Sequence, residues 1–202
     1  MENLTGKKLQ ELSDEQVMAE LQNGTVQAFD VIVYRFKDRL HNFLFRYTHN
    51  HEDCEDLVQE TFLRVYRSRF SYQPIAKLST WIFTIALNLA KSMYKKKQRM
   101  TTFSIHADDS DPDSRDFEIS DTSVLQDEKL HLKNSVEELE KALMQLNDEF
   151  REVIVLRDIQ QLTYEEISEI TGTAMGTVKS RINRARVQLQ DLIGEYVKSE
   201  TF

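Results

Sequence analysis

The chain is poor in residues that interrupt helices, with 5 glycines and 2 prolines among 202 residues. So little backbone punctuation excludes a turn-rich sandwich or barrel and favours long helices. The single cysteine, Cys54, excludes an internal disulfide framework and fits a reducing compartment. No apolar run approaches the ~18 residues needed to cross a bilayer. The N-terminal stretch MENLTGKKLQELSDEQ has no continuous apolar core of the secretion-signal kind, so a cytoplasmic location is expected. A glycine-rich phosphate loop, a nucleophile elbow and a catalytic-triad pattern are also missing, so the expectation is no enzyme and no cofactor. His49, His51 and Cys54 superficially offer metal ligands. The two histidines, two residues apart, do not share a helical face, and Cys54 falls on the bundle side. That segment is expected to cap a helix and hold no metal.

Acids outnumber bases by 34 to 26, a net charge of −8 that argues at first against nucleic acid as a partner. The distribution removes the objection. Nine acids and one arginine lie between Ala107 and Glu128, which accounts for the whole −8 and leaves the remainder balanced, with its cations in clusters. Net charge governs solubility and steering, whereas DNA contact depends on where cations sit. The segment ADDSDPDSRDFEISDTS is acidic and short of large apolar residues, so it cannot bury enough surface to offset chain ordering. The expected fold is all-α, with two small helical domains, 1–100 and 125–202, joined by a flexible acidic linker over 101–124.

In the first half, Ser13 and Gln16 form a capping-box pattern for a short helix that stops at Asn23-Gly24. A longer helix follows, with Phe29, Ile32, Val33, Phe36, Leu40, Phe43 and Leu44 at helical spacing. Asn50 caps the next, which runs through Leu57, Thr61, Phe62 and Val65 to about Arg69. After the loop from Phe70 to Lys77, a last helix from about Ser79 to Arg99 carries Leu78, Trp81, Ile82, Ile85, Ala86, Leu89 and Met93 as its apolar stripe. Trp81 is read as core. The second half is expected to hold helices near 124–145 and 148–159, the latter capped by Asn147 and burying Phe150, Val153, Ile154 and Leu156.

The most informative stretch closes the chain. Thr163 and Glu166 spell a capping box, Ile167 and Ile170 an inner face, and Gly172 a sharp turn between helices. Thr173 is expected to cap the second helix, where Val178, Ile182, Ala185 and Leu189 recur at spacings of four, three and four. Gly176, Thr177, Lys179, Ser180, Asn183 and Arg184 remain outside, with Arg181 and Arg186 flanking. Such a short cationic and amide-bearing face is suited to major-groove edges and phosphates. The segment reads as a helix-turn-helix.

Three stretches together resemble bacterial extracytoplasmic-function (ECF) sigma factors: DCEDLVQETFLRVY at 53–66, STWIFTIALNLAKS at 79–92, and LNDEFREVIVLRDIQQLTYEEISEI with GTVKSRINRAR within 146–186. The resemblance implies sigma region 2 in the first half and sigma region 4 in the second. It implies docking of Asp56, Gln59, Glu60 and Arg64 on the beta-prime clamp helices of RNA polymerase core. From residue types alone that helix face reads only as acidic and solvated. The resemblance further implies capture of the melted −10 strand by Phe70, Tyr72, Lys77, Phe83, Asn88, Lys91 and Lys95, with Lys96, Lys97 and Arg99 continuing the cationic track. Aromatic platforms, small polar groups and cations are what unpaired bases and phosphates demand. The −35 duplex would be read by Lys179, Ser180, Asn183 and Arg184, and gripped by Thr177, Arg181 and Arg186. Polymerase core, including its beta subunit, promoter DNA and an anti-sigma factor are the implied partners. The residues leave two rival readings, a conventional operator-binding regulator and a protein-binding adaptor.

Overall fold

The computed structural model describes residues 6–103 and 126–199, with no strand among the described residues. The first half comprises α1 (Gly6–Leu9), α2 (Asp14–Gln22), α3 (Gln27–Thr48), α4 (His51–Arg67) and α5 (Leu78–Phe103). The second comprises α6 (Gln126–Gln145), α7 (Asp148–Ile154), α8 (Tyr164–Thr171) and α9 (Met175–Ser199). The all-α expectation holds. Helix α5 continues past residue 100 to Phe103, and the rest of the acidic stretch, 104–124, lies outside the described residues.

Local signals form as read. Ser13 Oγ accepts from the Gln16 N–H at 3.3 Å while the Gln16 side chain accepts from the Ser13 N–H at 2.9 Å, a reciprocal capping box. Asn50 Oδ1 accepts from the Asp53 N–H and Asn147 Oδ1 from the Phe150 N–H, both at 2.8 Å. Each satisfies one of the orphan donors that open a helix. Helix α3 ends on His49, a left-handed residue (φ 51°) in a place usually taken by glycine or asparagine.

Two details depart from expectation. Helix α7 is regular only to Ile154, then widens through Val155–Ile159, where the Gln160 N–H donates to Val155 O five residues back at 3.0 Å. Gln161 then turns left-handed (φ 56°), and Leu162 drops into the core. In addition, Thr173 does not cap α9. The first turn of α9 hangs on Ala174, whose carbonyl accepts from the N–H groups of Thr177 and Val178 at 2.8 and 3.0 Å. The Thr173 hydroxyl donates to Thr171 O and accepts from Arg181 instead, so its side chain is spent on the turn.

Phe36, Leu40, Phe43 and Leu44 of α3 meet Leu57 and Val65 of α4 and Ile82 and Ala86 of α5 in the first core. Ile167 and Ile170 of α8 and Val178, Ile182 and Ala185 of α9 close on Val153 and Leu156 in the second. Each large side chain so buried contributes roughly 1.5–3 kcal/mol of transfer free energy. The two cores are continuous. Helix α5 packs on α8, and α3 touches α6, α7 and the widened turn. Among the described residues no helix is long and apolar enough to cross a membrane.

Candidate nucleic-acid interface

The helix-turn-helix is built as its sequence implies. Thr163 and Glu166 exchange the two capping-box bonds at 3.2 and 2.7 Å, and Gly172 makes the turn at φ 64°. With Val178, Ile182, Ala185 and Leu189 buried, α9 turns Thr177, Lys179, Ser180, Asn183 and Arg184 to solvent along one side. Lys179 Nζ stands 5.4 Å above the Tyr164 ring, and Ser180 Oγ donates to Thr177 O, which orders that surface. The two flanking arginines are already engaged. Arg181 pairs with Glu149 at 2.6 Å, and Arg186 forms a two-pronged pair with Asp158. The Arg186 pair is surface-exposed, where such a contact is weak and easily exchanged for a phosphate.

The residues assigned to strand capture divide. Phe70 is 66 % exposed, and the Arg69 guanidinium lies 4.4 Å over its ring and 4.5 Å over that of Tyr66. Asn88 and Lys95 are exposed as well, as is Lys77, while Lys91 is half-buried. Two assignments need correction. Phe83 is fully buried, edge-on to Phe43 at 5.4 Å, because α5 is enclosed on most of its circumference and not along one stripe. It is a core residue and offers no face to a base. Tyr72 is also buried: its ring rests on Trp81 at 5.3 Å, and its hydroxyl donates to Ala76 O at 2.9 Å. Burial pushes that hydroxyl's pKa up to about 12. Tyr72 braces the loop from within. Trp81, half-buried against it, belongs to the packing as expected.

On α4, Leu57 is buried and Asp56, Gln59 and Arg64 point outward, with Glu60 half-buried. Arg64 Nε and Glu60 Oε1 pair at 3.0 Å, one turn apart. Cys54 faces inward, its thiol donating to His41 O at 3.5 Å, and burial pushes its pKa up to about 11. Such a thiol is unreactive.

Other residues that shape these surfaces gave no signal in the sequence. Gln22 Nε2 donates to Arg69 O and Tyr72 O at 2.7 and 3.0 Å, fixing the loop from α2. Glu15 Oε1 accepts from the Leu78 N–H at 3.2 Å and so caps α5 from a distance. Lys77 pairs with Glu166 and Lys91 with Glu152, each at 2.8 Å. The hydrogen bond to Glu166 raises the Lys77 pKa. Burial raises the Glu152 carboxyl above its ordinary range against the pull of Lys91. These contacts join residues 47 or more positions apart, beyond the reach of any local pattern.

Comparison with known proteins agrees with this geometry. Residues 32–100 match the Sigma-70 region 2 family and residues 136–189 the Sigma-70, region 4 family. The chain is 34 % identical over its full length to the ECF RNA polymerase sigma factor SigE of Mycolicibacterium smegmatis, of which it covers 77 %. It is 32 % identical to the ECF RNA polymerase sigma factor SigW of Bacillus subtilis, covering 86 % of this chain and 95 % of that one. Among solved structures, the sigma factor RpoE of Bartonella quintana, in complex with the anti-sigma factor NepR, superposes with a TM-score of 0.67 at 28 % identity, over 82 % of this chain and 96 % of that one. The chain belongs to the ECF RNA polymerase sigma factors, non-catalytic specificity subunits that direct promoter-specific transcription initiation.

Proposed function

We propose that the two halves divide the promoter between them. The second half reads the −35 element as intact duplex, with Lys179, Ser180, Asn183 and Arg184 at base edges and Thr177, Arg181 and Arg186 on phosphates. The first half holds the melted −10 strand, with Phe70 as an aromatic platform, Asn88 at a base edge, and Lys77, Lys91 and Lys95 along the backbone. The outward face of α4, Asp56, Gln59, Glu60 and Arg64, docks on the beta-prime clamp helices, and the second half engages the beta subunit. The observation that carries this reading is the exposed row on α9, polar and cationic on a buried apolar stripe, on the same chain as a region 2 bundle. Each small domain alone would bind DNA weakly. Held on one polymerase, each raises the effective concentration of the other at its element. The Bartonella quintana relative bound to an anti-sigma factor supports an anti-sigma partner here, and a cytoplasmic site of action follows from the polymerase itself.

Run-off transcription with purified polymerase core tests the reading. The chain is expected to support initiation at a cognate promoter. An operator-binding regulator would instead shift DNA without core, and an adaptor would do neither. Asn88→Ala should impair open-complex formation more than closed-complex binding, and equal loss at both stages would refute its assignment. Arg184→Ala should relax preference at one −35 position at a cost of ~1–3 kcal/mol in discrimination. A uniform fall in affinity would make Arg184 a phosphate contact.

A further inference from the structure

Two of the three lysines proposed to bind the strand are already paired with carboxylates of the second half. Lys91 Nζ lies 2.8 Å from Glu152 Oε2 of α7, and Lys77 Nζ 2.8 Å from Glu166 Oε1 of α8. The Glu152 side chain is 3 % exposed, and a carboxylate removed from water to that degree needs a cation beside it. The cation comes from the other half of the chain. Around these pairs, α5 packs along α8, Arg46 reaches Glu140 at 3.5 Å, and Arg39 and Gln160 exchange two hydrogen bonds of 3.4 and 3.3 Å. Each lysine thus meets an anionic oxygen at the distance a DNA phosphate would take. The row Lys179, Asn183 and Arg184 on α9 stays exposed. Closure pairs two lysines of the proposed −10 face, leaves its Phe70, Asn88 and Lys95 exposed, and leaves the α9 row free.

We propose that the chain carries its own inhibitor: Glu152 and Glu166 latch the second half over the first and withhold Lys77 and Lys91 from DNA phosphates. The inference rests on the strand-binding role proposed for those lysines. The carboxylates act as intramolecular stand-ins for phosphate, and the two halves must part before the −10 face can use both lysines. Glu166 has a second duty, accepting the Thr163 N–H at 2.7 Å through its other oxygen. Glu166→Gln keeps an amide oxygen for that bond and removes only the charge that holds Lys77.

The test uses the full chain with a donor and acceptor dye on Gln73→Cys and Gln188→Cys, both exposed positions, while buried Cys54 stays unlabelled. In dilute buffer the wild-type sequence should give one high-transfer population, and rising NaCl should lower the transfer by weakening the exposed Lys77 pair before the buried Glu152 pair, since screening acts mainly on exposed charges. Glu152→Gln with Glu166→Gln should show low transfer already in dilute buffer. It should also bind a labelled single-stranded 20-mer roughly five- to tenfold more tightly than a charge-matched control, Asp30→Asn with Asp38→Asn. Wild-type transfer that is low and indifferent to salt would overturn the latch, even if the double variant failed to fold. An opened double variant with no gain over the control would overturn the masking of the lysines. Dye distance is independent of transcription, so a wild-type chain inactive in run-off assays would sink the promoter reading separately.

Discussion

Arg151 offers the sharpest test of how the second half is held together. Helix α6 ends at Gln145, and the last carbonyls of any helix lack partners within it. Arg151, on the first turns of α7, supplies them. Its Nε donates to Leu143 O at 2.9 Å, and one terminal nitrogen donates to Met144 O and Leu146 O at 2.8 and 2.7 Å. The other terminal nitrogen lies 3.4 Å from Asp148 Oδ1, and the residue is only 8 % exposed. One planar guanidinium therefore closes three backbone acceptors, a geometry an ammonium cannot reproduce. Arg151→Met keeps the apolar stem and takes the donor from Met144 O and Leu146 O, while Leu143 O keeps only the Leu146 N–H at 3.2 Å. Hydrogen bonds to a charged donor are each worth ~1.5–3 kcal/mol, and truncating a buried charged network costs about 3–5 kcal/mol. Arg151→Lys, able to serve fewer of the acceptors, should lose about half as much. Urea unfolding followed by circular dichroism reads both variants. A domain of this size has ~5 kcal/mol in hand, so Arg151→Met should leave about 0–2 kcal/mol at 25 °C, at the edge of unfolding. If Arg151→Lys matched wild type to within ~0.5 kcal/mol, water would be serving the carbonyls and the argument would fail.

Gly172→Ala should cost about 1 kcal/mol in urea, since φ 64° is unfavourable for a side chain although a Cβ there meets nothing within 4 Å. Gly172→Asn should cost less, because asparagine tolerates that conformation, and a larger loss than for alanine would show the site to be crowded. His49 sets a pH dependence. Burial, then the charges of Arg151 and Arg46, hold its pKa down to about 4, against ~6.5 in an unfolded chain. A histidine kept neutral by the fold contributes stability above ~6.5 that is lost as pH falls towards 4, because the unfolded chain takes up a proton the folded one refuses. The urea midpoint should fall across that window, and His49→Gln should flatten the decline. An unchanged slope would assign it to carboxylates instead.

Most of the fold was legible because its signals are local. Capping side chains lie three residues from the N–H they satisfy, and apolar stripes repeat every three or four residues, so Ser13, Asn50, Asn147 and Thr163 could be placed from sequence alone. The start of α9 was misplaced by one residue. Thr173 is a good cap by type, but its hydroxyl is drawn to Thr171 O and Arg181. The widening after Ile154 had no signal either, since an extra residue in one turn leaves the apolar spacing almost intact.

The candidate site was legible where it depends on one helix and illegible where it depends on two. On α9 the buried stripe fixes the opposite face, so the exposed residues follow from periodicity. On α5 the same reasoning fails, because neighbours bury it nearly all round and the helical wheel no longer tells inside from outside. Phe83 and Tyr72 have the right chemistry for stacking on bases, yet aromatic rings are equally suited to a core, and packing decided between the two. Lys77 and Lys91 have the right charge, but a lysine's availability depends on what faces it. Glu166 and Glu152 face them from far along the chain. Residue type therefore determines what a surface can bind, and long-range pairing determines when it is free to bind.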